Sequence, residues 1–246
     1  MDPLFDFTGR LVVVTGGSRG LGKEMVLAFA ERGADVVVAS RKLEACEAVA
    51  TEVRKLGRRA LAHSLHAGKW DSIDALIDIV YREFGRIDVL VNNAGSGPAA
   101  RSHEVTEALF DSVVALNFKG PFRLASQVAK RMADGEGGVI VNVSSSGSLM
   151  AVPGVVPYAS AKAALNAMGH SLAAEYGPKV RVNTLCPGPF LTDIARAWTQ
   201  AARDSMPNAL KRAGRPHEIV TAALYLASPA SSYTTGTLVR VDGGIV

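Results

Sequence analysis

A chain of 246 residues is long enough to bury the core of one domain, and 48% hydrophobic with 20% charged residues excludes a disordered or fibrous protein. No apolar run approaches the ~18 residues of a membrane span, and the run from Val152 to Val156 is already broken by Pro153 and Gly154. The net charge of +4 comes from scattered basic residues, paired only at places such as Arg58-Arg59 and Lys130-Arg131, so no nucleic-acid surface is expected.

The opening Met1-Asp2-Pro3-Leu4-Phe5-Asp6 carries acids where a secretory signal would carry lysine or arginine, and a cytoplasmic protein with no membrane partner is expected. Cys46 and Cys186 are too few for a disulfide framework and sit in apolar surroundings, as buried thiols do. Histidines 63, 66, 103, 170 and 217 show no ligand spacing, and no metal is expected.

Leu11-Val12-Val13-Val14 is a β-branched run of the kind buried on both faces of a parallel sheet. It leads into Thr15-Gly16-Gly17-Ser18-Arg19-Gly20-Leu21-Gly22 and a helical pattern from Met25 to Arg32, closed by Gly33. Strand, glycine-rich turn and helix is the context in which backbone amides and a helix N-terminus meet a pyrophosphate, and a Cβ at the glycines would block that approach. A plain flexible turn is the alternative for an isolated glycine cluster, and the flanking pattern favours a dinucleotide.

The second strand, Asp35 to Ala39, ends at Ser40-Arg41-Lys42. An acid at this tip would bond a ribose 2′-hydroxyl, whereas a basic residue accepts a 2′-phosphate. There is no acid here, and Arg41 backed by Arg19 reads as a cationic pocket for NADP(H); the plainer reading is a solvated arginine at a helix start. Helical patterns then alternate with strands: Leu43 to Leu56, strand Arg59 to His63, helix Ser72 to Phe84, strand Val89 to Val91. The alternation predicts a single α/β domain over 1–246, a Rossmann-like doubly wound parallel sheet of about seven strands with helices on both faces.

Asn92-Asn93-Ala94-Gly95 follows the fourth strand, as a structural turn or at the sheet edge where the cofactor lies. A long helix is predicted from about Thr106 to Met132; within it Asn117 would be expensive on an apolar face unless bonded, so it holds a water or distorts the helix. A fifth strand, Val139 to Val143, precedes Ser144-Ser145-Ser146. Then Pro157 and the apolar spacing of Ala161, Leu165, Met168 and Leu172 predict a helix opened by Tyr158. Tyr158 and Lys162 are i and i+4, on one face, and an ammonium beside a phenol favours the phenolate. Lowering a phenol by ~3 units takes about 4 kcal/mol, which a partly desolvated lysine and a cationic cofactor ring together supply. Alone, the pair is as well read as a packing ring and a solvated amine.

Together these motifs resemble the short-chain dehydrogenase/reductase family of the NADP(H)-preferring kind, over about Arg10 to Val241. The family's Thr-Gly-x-x-x-Gly-x-Gly matches Thr15, Gly16, Gly20 and Gly22, its Asn-Asn-Ala-Gly matches Asn92 to Gly95, and its Tyr-x-x-x-Lys matches Tyr158 and Lys162. The resemblance implies catalytic Asn117, Ser145, Tyr158 and Lys162, with Ser145 thirteen positions before the tyrosine and three after Asn142. It implies cofactor contacts at Gly16, Ser18, Arg19, Gly20, Leu21, Gly22, Ser40, Arg41, Asn93, Ala94, Gly95, Tyr158 and Lys162, and at Pro187, Gly188 and Thr192 after a sixth strand, Val180 to Leu185. His66 stands where relatives carry an aspartate that meets the adenine, as a replacement contact or a surface residue. It also implies a homo-oligomer, dimer or tetramer, paired through the long fourth and fifth helices, with Leu238 to Gly244 resembling the last strand.

In the implied mechanism hydride passes between cofactor and carbonyl carbon while Tyr158 gives the oxygen a proton. Ser145 holds that oxygen, Lys162 lowers the tyrosine pKa and bonds the nicotinamide ribose, and Asn117 seats a relay water. Pocket walls are expected at Ser96 to His103, Gly147 to Val156 and Pro189 to Arg212, a long segment read as a lid. Leu149, Met150, Val152, Val155, Phe190, Ile194 and Trp198 suit an apolar ketone or aldehyde as the small-molecule substrate. A 3-oxoacyl thioester competes, since the family that this chain resembles contains such reductases and Lys130-Arg131 would attract an acidic carrier protein. A non-catalytic NADP(H)-binding or assembly protein is the reading from another class, disfavoured by the complete Asn, Ser, Tyr and Lys set.

Overall fold

Strands buried on both faces need apolar residues at every position, and the β-branched runs of this chain supply them. The computed structural model describes residues 2–193, 195, 199 and 206–245. Its strands are β1 (Leu11–Thr15), β2 (Asp35–Ser40), β3 (Ala60–Ser64), β4 (Val89–Asn92), β5 (Gly138–Val143), β6 (Val180–Pro187) and β7 (Leu238–Val241). They form one sheet in the order β3-β2-β1-β4-β5-β6-β7, with every neighbouring pair parallel.

Connecting helices cover both faces. They are α1 (Gly20–Glu31), α2 (Leu43–Lys55), α3 (Trp70–Phe84), α4 (Glu107–Val114), α5 (Gly120–Asp134), α6 (Val156–Tyr176) and α7 (Val220–Ala227). Alternate residues of one strand point to opposite layers. Val12 and Val14 of β1 join the core under α1, α2 and α7, which includes Met25, Phe29, Val49 and Leu226. Leu11 and Val13 join the core under α3, α5 and α6, which includes Ile73, Leu124 and Leu165. Fully burying a side chain such as Phe29 or Leu165 contributes about 1.5–3 kcal/mol, and this two-sided burial fixes the strand tips against which a ligand is read. Both cysteines are buried and free. Among the described residues no helix is long and apolar enough to cross a membrane.

The predicted helix over 106–132 is interrupted. A π turn at Ala115–Lys119 separates α4 from α5. Asn117 causes the break: its Nδ2 donates to Val113 O at 2.8 Å and so competes for the carbonyl of the preceding turn, while the Gly120 N–H bonds Ala115 O, five residues back. Gly120 is needed there, because a Cβ would fall 1.7 Å from Ala67 O.

Candidate active site

The strand order reverses between β1 and β4, and the crevice outside such a reversal is where an extended ligand fits. The two tips are stitched together. Backbone N–H groups of Asn93 and Ala94 donate to Thr15 Oγ1 at 3.0 and 3.1 Å, and Asn93 Nδ2 donates to Thr15 O at 2.9 Å. Asn92 turns the other way, its buried Nδ2 donating to Asn142 Oδ1 at 3.0 Å. The asparagines therefore bond neighbouring strands, not their own turn, and β4 lies inside the sheet between β1 and β5.

Gly16 (φ +66°) and Gly20 (φ +52°) place the loop after β1 in the left-handed region that favours glycine. Gly22 lets the loop close on α1, since a Cβ there would lie 2.2 Å from Gly16 O. No side chain caps α1, so its first-turn N–H groups are left for an anion. This close backbone cradle fits a pyrophosphate. At its outer end Ser18 Oγ and Ser40 Oγ are 2.7 Å apart, Arg41 is exposed, and Arg19 pairs with Asp193 at 2.8 Å. Thr192 crosses over the loop, its Cγ2 3.4 Å from the point a Gly20 Cβ would take. Leu21 is half-buried under α1 and packs on the core. His66 is exposed beyond β3, its N–H donating to Ser72 Oγ at 3.0 Å. Pro187 ends β6, and Gly188 packs so tightly on Asp242 that a Cβ would lie 2.6 Å from its Cα.

Beyond β5, Ser145 and the first turns of α6 bring the predicted catalytic side chains together. Ser145 faces the Tyr158 hydroxyl closely enough to favour its ionised form. Lys162 lies one turn along, Nζ 5.9 Å from the Tyr158 ring centre, and donates to Val143 O at 2.7 Å. Gly95 joins this group to Asn117: its Cβ position lies 2.9 Å from Asn117 Oδ1 and 3.3 Å from Lys162 Nζ. Asn117 in turn clasps Ser96, donating to its carbonyl at 2.9 Å and accepting from its N–H at 3.3 Å.

The lowering expected for the tyrosine rests on Lys162 and the cofactor ring together, and the protein's own groups do not supply it alone. Burial raises the Tyr158 phenol and outweighs the opposing effect of Ser145. Lys162 is only 2% exposed, and burial brings its ammonium down to about 8. That desolvation costs on the order of 3 kcal/mol. The unfolded chain keeps the lysine proton to higher pH, so the cost is relieved as pH rises through about 8.

Three contributors escaped the sequence reading. Gly97 lies against the Tyr158 ring, where a Cβ would be 2.8 Å from Cγ. Ser148 Oγ donates to Ser145 O at 2.6 Å and accepts from Asn166 Nδ2 at 2.8 Å, which ties the serine turn to the helix that carries Tyr158. Asn166 stands four after Lys162, and that spacing was the available signal. Phe190, predicted as a pocket wall, lines a small cavity with Pro189, Leu210 and Arg212, and the rest of its ring, 6% exposed, packs on Gly214 and the core. Ile194 and Trp198 lie outside the described residues. No group of three His, Cys, Asp or Glu among the described residues is placed to hold a metal.

Residues 10–203 match the family described as short chain dehydrogenase. The chain is 34% identical over 241 residues to a 3-oxoacyl-[acyl-carrier-protein] reductase of Thermotoga maritima, covering 97% of this chain and 98% of the relative. A 7 alpha-hydroxysteroid dehydrogenase solved with NADH and 7-oxo glycochenodeoxycholic acid superposes with a TM-score of 0.95 at 33% identity, covering 100% of this chain and 98% of that one. An NADPH-dependent 3-quinuclidinone reductase of Rhodotorula rubra superposes with a TM-score of 0.93 at 29% identity, covering 99% and 93%. With the reversal crevice, the glycine cradle and the Ser145, Tyr158 and Lys162 group at its mouth, the chain belongs to the short-chain dehydrogenase family of oxidoreductases.

Proposed function

We propose that the protein interconverts an apolar ketone or aldehyde and its secondary alcohol with NADP(H), using Tyr158 as the acid/base. The observation that carries this reading is the convergence of Ser145, Tyr158, Lys162 and Asn117 around Gly95 at the crevice. The nicotinamide, when bound, supplies or accepts the hydride. Ser145 holds the carbonyl oxygen, and Tyr158, kept protonated by burial, gives it the proton. Lys162 places a positive charge under the ring and stabilises the phenolate as it forms. The shared space of Asn117 Oδ1 and Lys162 Nζ beside Gly95 supports a water that returns the proton. Gly16, Ser18, Arg19, Gly20, Leu21, Gly22, Asn93, Ala94, Pro187, Gly188 and Thr192 line the cofactor's path in this reading, with His66 at its adenine end. A panel of ketones, quinones and acyl thioesters assayed by NADPH oxidation tests it, and absence of turnover with every class favours the non-catalytic binding protein.

The choice of NADP(H) is supported by the β2 tip, which offers Ser40 and Arg41 and no acid. Arg41→Ala is expected to raise the NADPH dissociation constant about tenfold and to leave that of NADH within about twofold, the worth of one charge-assisted contact to a 2′-phosphate. Titration by cofactor fluorescence reads both.

Carbonyl reduction has a predicted pH sign. The Tyr158 acid, raised above its ordinary value, stays protonated through neutrality, whereas Lys162 loses its charge as pH rises through about 8. The kcat/KM for reduction is therefore expected to fall above about pH 8, and the residual rate of Lys162→Met to lack that limb. A rate that climbs through this range would remove Lys162 from the step.

The thioester alternative is supported by the 3-oxoacyl-[acyl-carrier-protein] reductase of Thermotoga maritima among the relatives, whereas its charge argument is weakened because Lys130 pairs with Asp134 and Arg131 with Asp78. We keep the reading of a single domain; of the 189–212 segment expected as its lid, residues 194, 196–198 and 200–205 lie outside the described residues. Phe110 on α4 and Phe122 on α5, 49% and 41% exposed, support a dimer or tetramer paired through those helices, which sedimentation tests.

A further inference from the structure

A cavity of about 650 Å³ opens between the loop that follows β4 and the start of α6, where its lining residues Ala159 and Ser160 follow Tyr158 in the chain. Its floor is apolar, made by Met150, Val152, Pro153 and Val156, and Arg101 and His103 stand on its wall. The two loops that bound it are tied by the Ala100 N–H, which donates to Gly154 O at 2.8 Å. Val152 connects the cavity to the chemistry. Its Cγ2 lies 3.2 Å from the point a Cβ on Gly147 would take, and Ser145 Oγ lies 3.5 Å from the same point.

The charge on this wall is one-sided. No residue lining the cavity is acidic. His103 has Glu104 beside it at 3.8 Å, but the Arg101 guanidinium has no ion pair or hydrogen bond among the described residues. An apolar floor rewards burial of a hydrocarbon body, and an unpaired guanidinium favours a carboxylate or phosphate on the same molecule. We propose that the substrate is an oxo compound whose apolar body ends in an anionic group, with Arg101 binding the anion while the carbonyl lies at Ser145 and Tyr158. This deepens the carbonyl-reductase reading and rests on it. The anion has two chemical sources, a carboxylate on the substrate itself or the phosphate of a pantetheine thioester.

Matched pairs separate these sources: oxo-carboxylates against their primary amides, in an aliphatic and an alicyclic series, and 3-oxoacyl thioesters of phosphopantetheine against those of pantetheine. For each pair, KM with NADPH and the dissociation constant by calorimetry are measured in the wild type, Arg101→Gln and Arg101→Glu. The anionic member of one series is expected to bind roughly three- to tenfold more tightly in the wild type, the range of a charge-assisted contact at a solvent-open rim. Arg101→Gln is expected to erase that ratio and Arg101→Glu to invert it. Because the ratio is taken within each enzyme, a general loss of activity or stability cancels. The series that shows the ratio identifies the source. Equal binding within every pair, or a ratio that survives Arg101→Gln, overturns the proposal. Discrimination in calorimetry without turnover of any pair overturns the carbonyl-reductase reading and leaves the anion site standing.

Discussion

Tyr158→Phe is expected to lower carbonyl turnover by roughly 10²–10⁴-fold, the contribution of a positioned general acid, with the NADPH dissociation constant within about twofold of wild type. The substitution removes one oxygen and nothing else. Phenylalanine keeps the ring against Gly97 and keeps its place one turn before Lys162, so the groups that shape the cleft stay where they are. Ser145 loses the phenol oxygen it faces, yet its turn is still held by Ser148, which bonds both Ser145 O and Asn166. The step then has an oriented carbonyl and no acid to protonate it. Kinetics by NADPH oxidation and cofactor titration on the same preparation check both halves. A near-native rate would remove Tyr158 from the mechanism, and a collapse of cofactor binding would make the residue a structural one.

The parts of this molecule that were legible in the sequence are those set by short-range periodicity. Val12, Val13 and Val14 are buried on alternating sides of β1, and the β-branched run announced that two-sided burial. The i, i+4 spacing of Tyr158 and Lys162 likewise placed both on one face of α6. What stayed hidden depends on partners far along the chain. The break at Asn117 was foreseen but its clasp on Ser96 was not; nor was it visible that Thr15 secures Asn93 across 78 residues or that Arg19 meets Asp193 across 174. The burial that raises the tyrosine pKa was hidden for the same reason: an adjacent lysine is visible in the sequence, whereas that burial belongs to the assembled cleft. Phe190 shows a further limit, since an apolar residue in a loop does not reveal that it lines a cavity and joins the core at once.

Gly97 is the sharpest test of that hidden part. Its φ lies outside the left-handed region, so alanine can adopt the backbone, and the effect of Gly97→Ala must come through contact. The new Cβ would lie 2.8 Å from Tyr158 Cγ and 3.1 Å from both Cδ atoms, well inside the ~3.5–4.0 Å at which carbon atoms attract. Either the loop or the ring must move. The loop is pinned on one side by the two Ser96 bonds to Asn117 and on the other by the Ala100 bond to Gly154, which leaves it little room to recoil. The ring is the softer party, and pushing it by about 1 Å takes the phenol out of line with Ser145, a displacement worth about 10²-fold in rate. Gly97→Ala is therefore expected to lower kcat about 100-fold with cofactor affinity unchanged and only modest destabilisation, of about 1–3 kcal/mol. Steady-state kinetics and thermal unfolding of the variant decide it: an unchanged kcat with a raised KM would show that the loop yields first and that the ring is held more firmly by α6 than by its glycine neighbour.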